Sequence, residues 1–201
     1  FLVTSNRLLP DTDQTHVKIC AVHWPSGRVT QLNHLEDQIV MGNGGTSDWH
    51  GGAYLLSQGL NDTSGTVWHI DPHLNSCTLV GPLPDGELLF NSLNDIVVHR
   101  ATGCLLFTDP AYGAEVQGFR TTFNEAKAVW CFNPTTSKWT MLDHMYDAPN
   151  GILLSPDERT CYVSDVWNDS WATACKSCVK IESCASEGVT EAKKVVKYDV
   201  Q

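Results

Sequence analysis

Positive charge is scarce in this chain: 201 residues carry 13 Lys and Arg against 23 Asp and Glu, a formal net charge of −10. The basic residues are scattered, which argues against a nucleic-acid partner, because phosphate contacts need a basic face. No apolar run reaches membrane-spanning length, so no membrane partner is expected, and no leader pattern opens the chain. Helical periodicity is nowhere sustained, and Gly, Pro and Asx clusters recur too often for long helices. No GxSxG elbow supports a Ser nucleophile, and no HExxH-like spacing pairs any of the eight His, each of which defaults to a structural role. Disorder is excluded by 42% hydrophobic residues, seven Trp and only 18% charged residues.

What the chain does have is a repeat. Asn94–Asp109 (NDIVVHRATGCLLFTD) and Asn150–Asp165 (NGILLSPDERTCYVSD) align without a gap, each running from Asn through an apolar strand and a turn to a second strand ending in Asp. A second unit interleaves with it. Val67-Trp-His-Ile-Asp-Pro72 leads to Cys77–Val80, and Val129-Trp-Cys-Phe-Asn-Pro134 to Trp139–Leu142, as hairpins with Asx-Pro turns. His16–Pro25 with Val29–Leu32 reads as an earlier copy, and Val195–Val200 as a later outer strand. The hairpins recur every 50 to 65 residues or so, about one four-stranded propeller blade with its loops.

The expected fold is therefore all-β: a partial β-propeller of three complete four-stranded blades plus portions of others, residues 1–201 forming a single incomplete propeller domain. Phe1–Thr4 matches Leu105–Thr108, the second strand of a repeat, so both ends are expected to be truncated. An open ring would leave strand edges unpaired and the isolated chain poorly stable.

Five cysteines, Cys20, Cys77, Cys104, Cys131 and Cys161, sit singly in apolar strands and read as small core hydrophobes. Cys175, Cys178 and Cys184 cluster in a polar loop as a local disulfide, a plain loop or an incomplete zinc site, the last being disfavoured for want of a fourth ligand. The sequons at Asn61 and Asn168 tilt the compartment weakly toward a secretory route.

The motifs resemble those of the senescence marker protein/gluconolactonase family, in particular its fungal lactonohydrolase type. The residues that carry the resemblance are Ser92-Leu-Asn-Asp95, Val97-Val-His99 and Leu106-Phe-Thr-Asp-Pro-Ala-Tyr-Gly113; then Pro149-Asn-Gly-Ile152, Ser155-Pro-Asp157 and Tyr162-Val-Ser-Asp165; and Gly42-Asn-Gly-Gly-Thr46 with Ser57-Gln-Gly59. The resemblance implies a six-bladed propeller carrying one divalent cation, usually calcium, held by a Glu, two Asn and an Asp. Asn94 and Asn150 match the two Asn, with Asn94 also facing substrate. The register puts the Glu before Phe1 and the Asp, which is also the general base, beyond Gln201, so no catalytic residue is visible here.

The implied function is that of a metal-dependent lactonase hydrolysing gluconolactone-like sugar lactones to hydroxy acids, with the activity belonging to a full-length parent and this fragment inactive alone. The alternative is a non-catalytic truncated propeller acting as a binding scaffold. A strictosidine-synthase-like or paraoxonase-like propeller ranks lowest. The partner implied is a small-molecule lactone.

Other residues carry two readings each. Asp95 orients the Asn94 amide or binds a sugar hydroxyl, or else caps a turn. Asp109 and Asp165 recur at equal offset and are expected to serve turns, and Tyr112 lines the cavity mouth or packs in the core. Ser92 stands where some relatives have a substrate-binding Arg. His50 is expected near the axial face, and the Trp residues are expected to pack between blades.

Overall fold

The computed structural model describes residues 1–5, 16–81, 90–166 and, as backbone, 174–180. Four antiparallel sheets follow one another along the chain, each a meander of sequential strands. The first holds β1 (Leu2–Thr4), β2 (Ile19–Val22) and β3 (Val29–Gln31), and is followed by a one-turn helix, α1 (Asn33–Glu36). The second holds β4 (Gly42–Ser47), β5 (Ala53–Ser57), β6 (Thr66–Ile70) and β7 (Cys77–Leu79). The third holds β8 (Ile96–His99), β9 (Cys104–Asp109), β10 (Ala128–Asn133) and β11 (Lys138–Asp143), with α2 (Tyr112–Glu115) in the β9–β10 connection. The fourth holds β12 (Pro149–Leu154), β13 (Thr160–Asp165) and β14 (Ala174–Lys180).

Two sheets thus have four strands and two have three. The outer strand read at Val195–Val200, with which a third four-stranded sheet was expected, lies outside the described residues. Inner strands and hairpins otherwise fall where the repeat put them, to within a few residues.

The third sheet shows why its strands read as continuous apolar runs. All six residues of β9 are buried, because both faces of the sheet are covered and period-2 alternation divides them between two cores. Leu105, Phe107, Ala128, Trp130 and Phe132 pack with Leu56 and Val67 of the second sheet. Cys104, Leu106, Val129 and Cys131 pack with Ile152, Cys161 and Val163 of the fourth. Phe90 fills the first of these cores edge-on against Phe107, Trp130 and Trp139, with ring centroids 5.3 to 5.5 Å apart. Ile19 and Ala21 meet Leu55 and Ile70 between the first and second sheets.

The consecutive strands β1, β4, β8 and β12 also touch one another, which gives the array its propeller-like character. At their far ends the sheets are tied by Arg100, whose guanidinium lies 3.6 Å from the Trp49 ring centroid and whose backbone N–H donates to Glu158 Oε2 at 2.9 Å.

Three expectations need correcting. Trp24 and Trp49 are exposed in turns rather than packed between sheets. Cys104 and Cys161 are buried in the core as expected, but Cys131, also buried, is disulfide-bonded. Cys175 and Cys178 fall in strand β14 rather than in the expected polar loop, while their side chains and Cys184 lie outside what the structure describes.

Candidate functional site

The site is built on a bulge. In β12 the pairing with β13 jumps between Pro149 and Ile152, so Asn150 and Gly151 leave the ladder. In β4 the pairing with β5 jumps between Gly42 and Gly45, at Asn43 and Gly44. A bulge re-aims side chains at a strand end, and here it does so for an Asn-Gly pair in both strands. Asn94 holds the corresponding place just ahead of β8.

These three Asn are linked through their backbones. Gly44 N–H donates to Asn94 O at 2.9 Å, Asn94 N–H to Thr108 O at 3.0 Å, and Thr108 Oγ1 to Asn150 O at 2.6 Å. Thr108, at the penultimate position of β9, therefore holds both expected ligand residues. Gly44 is required by contact: a Cβ there would lie 2.2 Å from Asn94 O and 2.9 Å from Asp95 Cα. The Asn43–Gly44 backbone thus presses directly on the Asn94–Asp95 run.

The amides are orientated by their partners. Asn150 Nδ2 donates to Tyr112 Oη at 3.0 Å, and that hydroxyl donates to Ala148 O at 3.2 Å, so the Asn150 carbonyl oxygen is left over. The Asn94 side chain makes no hydrogen bond among the described residues. Tyr112 is half-buried at the start of α2, and burial raises its phenol pKa. It touches the site through Asn150 rather than by packing alone. Tyr112→Phe is expected to cost about 1 kcal/mol, the net worth of a lost hydrogen bond, since Ala148 O keeps the N–H of Val166, and to release the Asn150 amide; the urea midpoint and the Asn150 side-chain NMR signals report the two effects separately.

Asp95 has the cap geometry. Its Oδ1 accepts the N–H of Ile96 at 2.9 Å and its Oδ2 the N–H of Ile152 at 3.0 Å, so the carboxyl staples β8 to β12. Burial raises its pKa despite those two bonds. Asp165 does similar work, accepting from Ala148 N at 2.7 Å and Asp147 N at 3.2 Å. Ser92 is buried with its Oγ accepting from Gly113 N at 2.8 Å, which anchors α2. His50 is exposed in the β4–β5 turn, at the opposite end of β4 from Asn43, and so lies away from this site.

Hard cations prefer oxygen donors, and Asn94 and Asn150 offer two, but neutral carboxamides hold such a cation weakly without carboxylates. Among the described residues no group of three or more His, Cys, Asp and Glu is placed to hold a metal, and Asp95 is committed to backbone amides. The residues present fit the neutral part of a cation site.

Sequence reasoning did not single out Asn43. Its signal was the shared Asn-Gly pair of Asn43-Gly44 and Asn150-Gly151, masked because Gly45-Thr-Ser47 lacks the apolar alternation that follows the other two Asn. Asn43 lines a cavity of about 790 Å³ between the first two sheets, bounded by β1, by β4 and at one end by Asp95.

Sequential antiparallel sheets with carboxamides at the starts of their inner strands define an all-β, propeller-like protein. The chain belongs to the SMP-30/gluconolactonase/LRE-like region family, whose pattern matches residues 59–180. It is 36% identical over 78 residues to the lactonohydrolase oryL of Aspergillus oryzae (strain ATCC 42149 / RIB 40), covering 38% of this chain and 17% of the relative. Its fold is similar to that of a gluconolactonase from Xanthomonas campestris, with a TM-score of 0.61 and 24% identity over 82% of this chain and 50% of that one. It also resembles TolB from Acinetobacter baumannii, with a TM-score of 0.53 and 7% identity over 91% of this chain and 38% of that one. The chain therefore spans half or less of the length of these relatives.

Proposed function

We propose that the protein acts on sugar-type lactones, opening the ring to a hydroxy acid within a six-bladed propeller, with a divalent cation, calcium, as cofactor. The observation that supports this best is the pair Asn94 and Asn150, held through Thr108 at the starts of adjacent inner strands, in a member of this family. In hydrolysis a water oxygen adds to the lactone carbonyl carbon, the ring C–O bond breaks, and the ring oxygen leaves as the new hydroxyl. A bound cation supplies Lewis acidity toward the carbonyl. The residues of this chain present fixed amide oxygens: Tyr112 fixes the Asn150 amide, and Asp95 and Thr108 fix the backbone that carries both Asn.

One observation favours a second reading, a non-catalytic binding scaffold: the carboxylate beside Asn94 is spent on backbone N–H groups. Acid release from glucono-δ-lactone by the full-length protein, followed in a pH-stat with and without chelator, separates the two. We expect turnover that chelator abolishes and calcium restores. Turnover indifferent to chelator rejects the cation, and absence of turnover favours the scaffold.

A further inference from the structure

We propose that Asn43 is a ligand-facing residue, its amide oxygen accepting a hydrogen bond from a hydroxyl group of a polyhydroxylated lactone and so favouring sugar-derived over unsubstituted rings. The proposal rests on the lactone reading above and assigns it a specificity residue.

Three observations carry it. First, β4 repeats the device of β12, an Asn-Gly pair expelled from the ladder by a bulge, and Gly44 docks this pair onto Asn94 with no room for a side chain. Second, the Asn43 amide has a single possible orientation. Its Nδ2 donates to Leu93 O at 3.3 Å, and a carbonyl can only accept, so Oδ1 must point the other way. The structural work of the side chain, tying β4 to the run before β8, is done by the nitrogen alone. The oxygen has no partner among the described residues. Third, Asn43 borders the 790 Å³ cavity, a volume in the range of small-molecule sites. Its backbone carbonyl is steadied from the β1 side by Thr4 Oγ1, which donates at 3.3 Å. A fixed, neutral acceptor at the edge of a cavity suits a hydroxyl donor. Asn43 is half-buried, and a ligand that covers its oxygen without supplying a donor leaves that acceptor unpaired, which discriminates against such a ligand.

The test compares the full-length protein with its Asn43→Ala and Asn43→Asp variants on glucono-δ-lactone and on δ-valerolactone, which has the same ring and no hydroxyls. Asn43→Ala is expected to raise KM for glucono-δ-lactone about tenfold with kcat within about twofold, and to shift KM for δ-valerolactone less than twofold. Asn43→Asp keeps an oxygen and loses the Leu93 bond, so it should retain most of the preference while its melting temperature falls like that of the Ala variant. Equal KM shifts for both lactones, or none, overturn the proposal and leave the lactonase reading intact. Calorimetric binding of gluconate supplies the converse. A wild type that binds gluconate without hydrolysing either lactone, and loses affinity on Asn43→Ala, sinks hydrolysis and keeps the subsite. A wild type that neither hydrolyses nor binds overturns both.

Discussion

Arg120→Ala should remove about 3–5 kcal/mol of stability, the loss expected when buried carbonyls are stripped of a charged donor. Arg120 is 5% exposed. Its Nη1 donates to Asn91 O at 2.6 Å and Gln58 O at 3.0 Å, its Nε to Asn61 O at 3.1 Å, and its backbone N to Gly113 O at 3.0 Å. The side chain thus ties the β5–β6 connection to the run leading to Asn94, and the backbone of the same residue holds the segment carrying Tyr112. Truncation leaves two buried carbonyls, Asn91 O and Gln58 O, without this donor, while Asn61 O keeps the N–H of Thr121, and each hydrogen bond to a charged donor contributes about 1.5–3 kcal/mol. Arg120→Lys should recover only part of the loss, because a point-like ammonium cannot span carbonyls that the guanidinium fork reaches from two nitrogens. Urea midpoints of the three proteins check this. Hydrogen exchange at Gly44, Asn94 and Gly113 should quicken in both variants, since those amides close the network Arg120 supports. Unchanged midpoints would mean that neighbouring loops, not Arg120, hold the site together.

Arg120 was not legible in the sequence, and the reason is physical. Its acceptors are backbone carbonyls 29 to 62 residues away, so no local pattern and no acidic partner announces it. Asp95 was legible only as a pair of alternatives, because the deciding contact is the N–H of Ile152, 57 residues on. Asn94 and Asn150 were visible because each precedes an apolar strand in a repeat of identical length. Asn43 escaped because bulge and glycines erase that alternation in β4. The strands themselves read well, since β9 and β10 bury both faces and need unbroken apolar runs. Exposure of Trp24 and Trp49 was not readable, because a Trp in a turn has the same local signature whether a neighbouring sheet covers it or not. His50 was misplaced for a related reason: sequence places it in a turn but does not say at which end of the sheet that turn lies.

Stability should also fall as pH rises from about 4 to about 8, through Asp109. This carboxyl ends β9, is 1% exposed, and has its pKa pushed up to about 8 by burial. The N–H of Asn91 and the charge of Arg120 pull the other way, but too weakly. Arg120 spends its bonded nitrogens on carbonyls, its Nη2 and Asp109 Oδ1 are without hydrogen-bond partners among the described residues, and Trp130 Nε1 faces the carboxyl without closing a bond. The sign follows from proton counting. Above its ordinary pKa of about 3.9 the unfolded chain has released this proton, while the folded chain keeps it until about pH 8, so folding takes up a proton in that window and loses up to about 1.4 kcal/mol per pH unit. Below pH 4 both states are protonated, and above pH 8 both are ionised, so the contribution is flat outside the window. Asp109→Asn is neutral at every pH and keeps an oxygen for the Asn91 N–H. Its stability relative to wild type should therefore climb by several kcal/mol between pH 5 and pH 8 and then level off, as read from urea unfolding at each pH. Parallel curves would show that Asp109 is ionised in the folded state and that Arg120 wins over burial. The double variant with Arg120→Ala should be non-additive, because each group sets the electrostatic environment of the other.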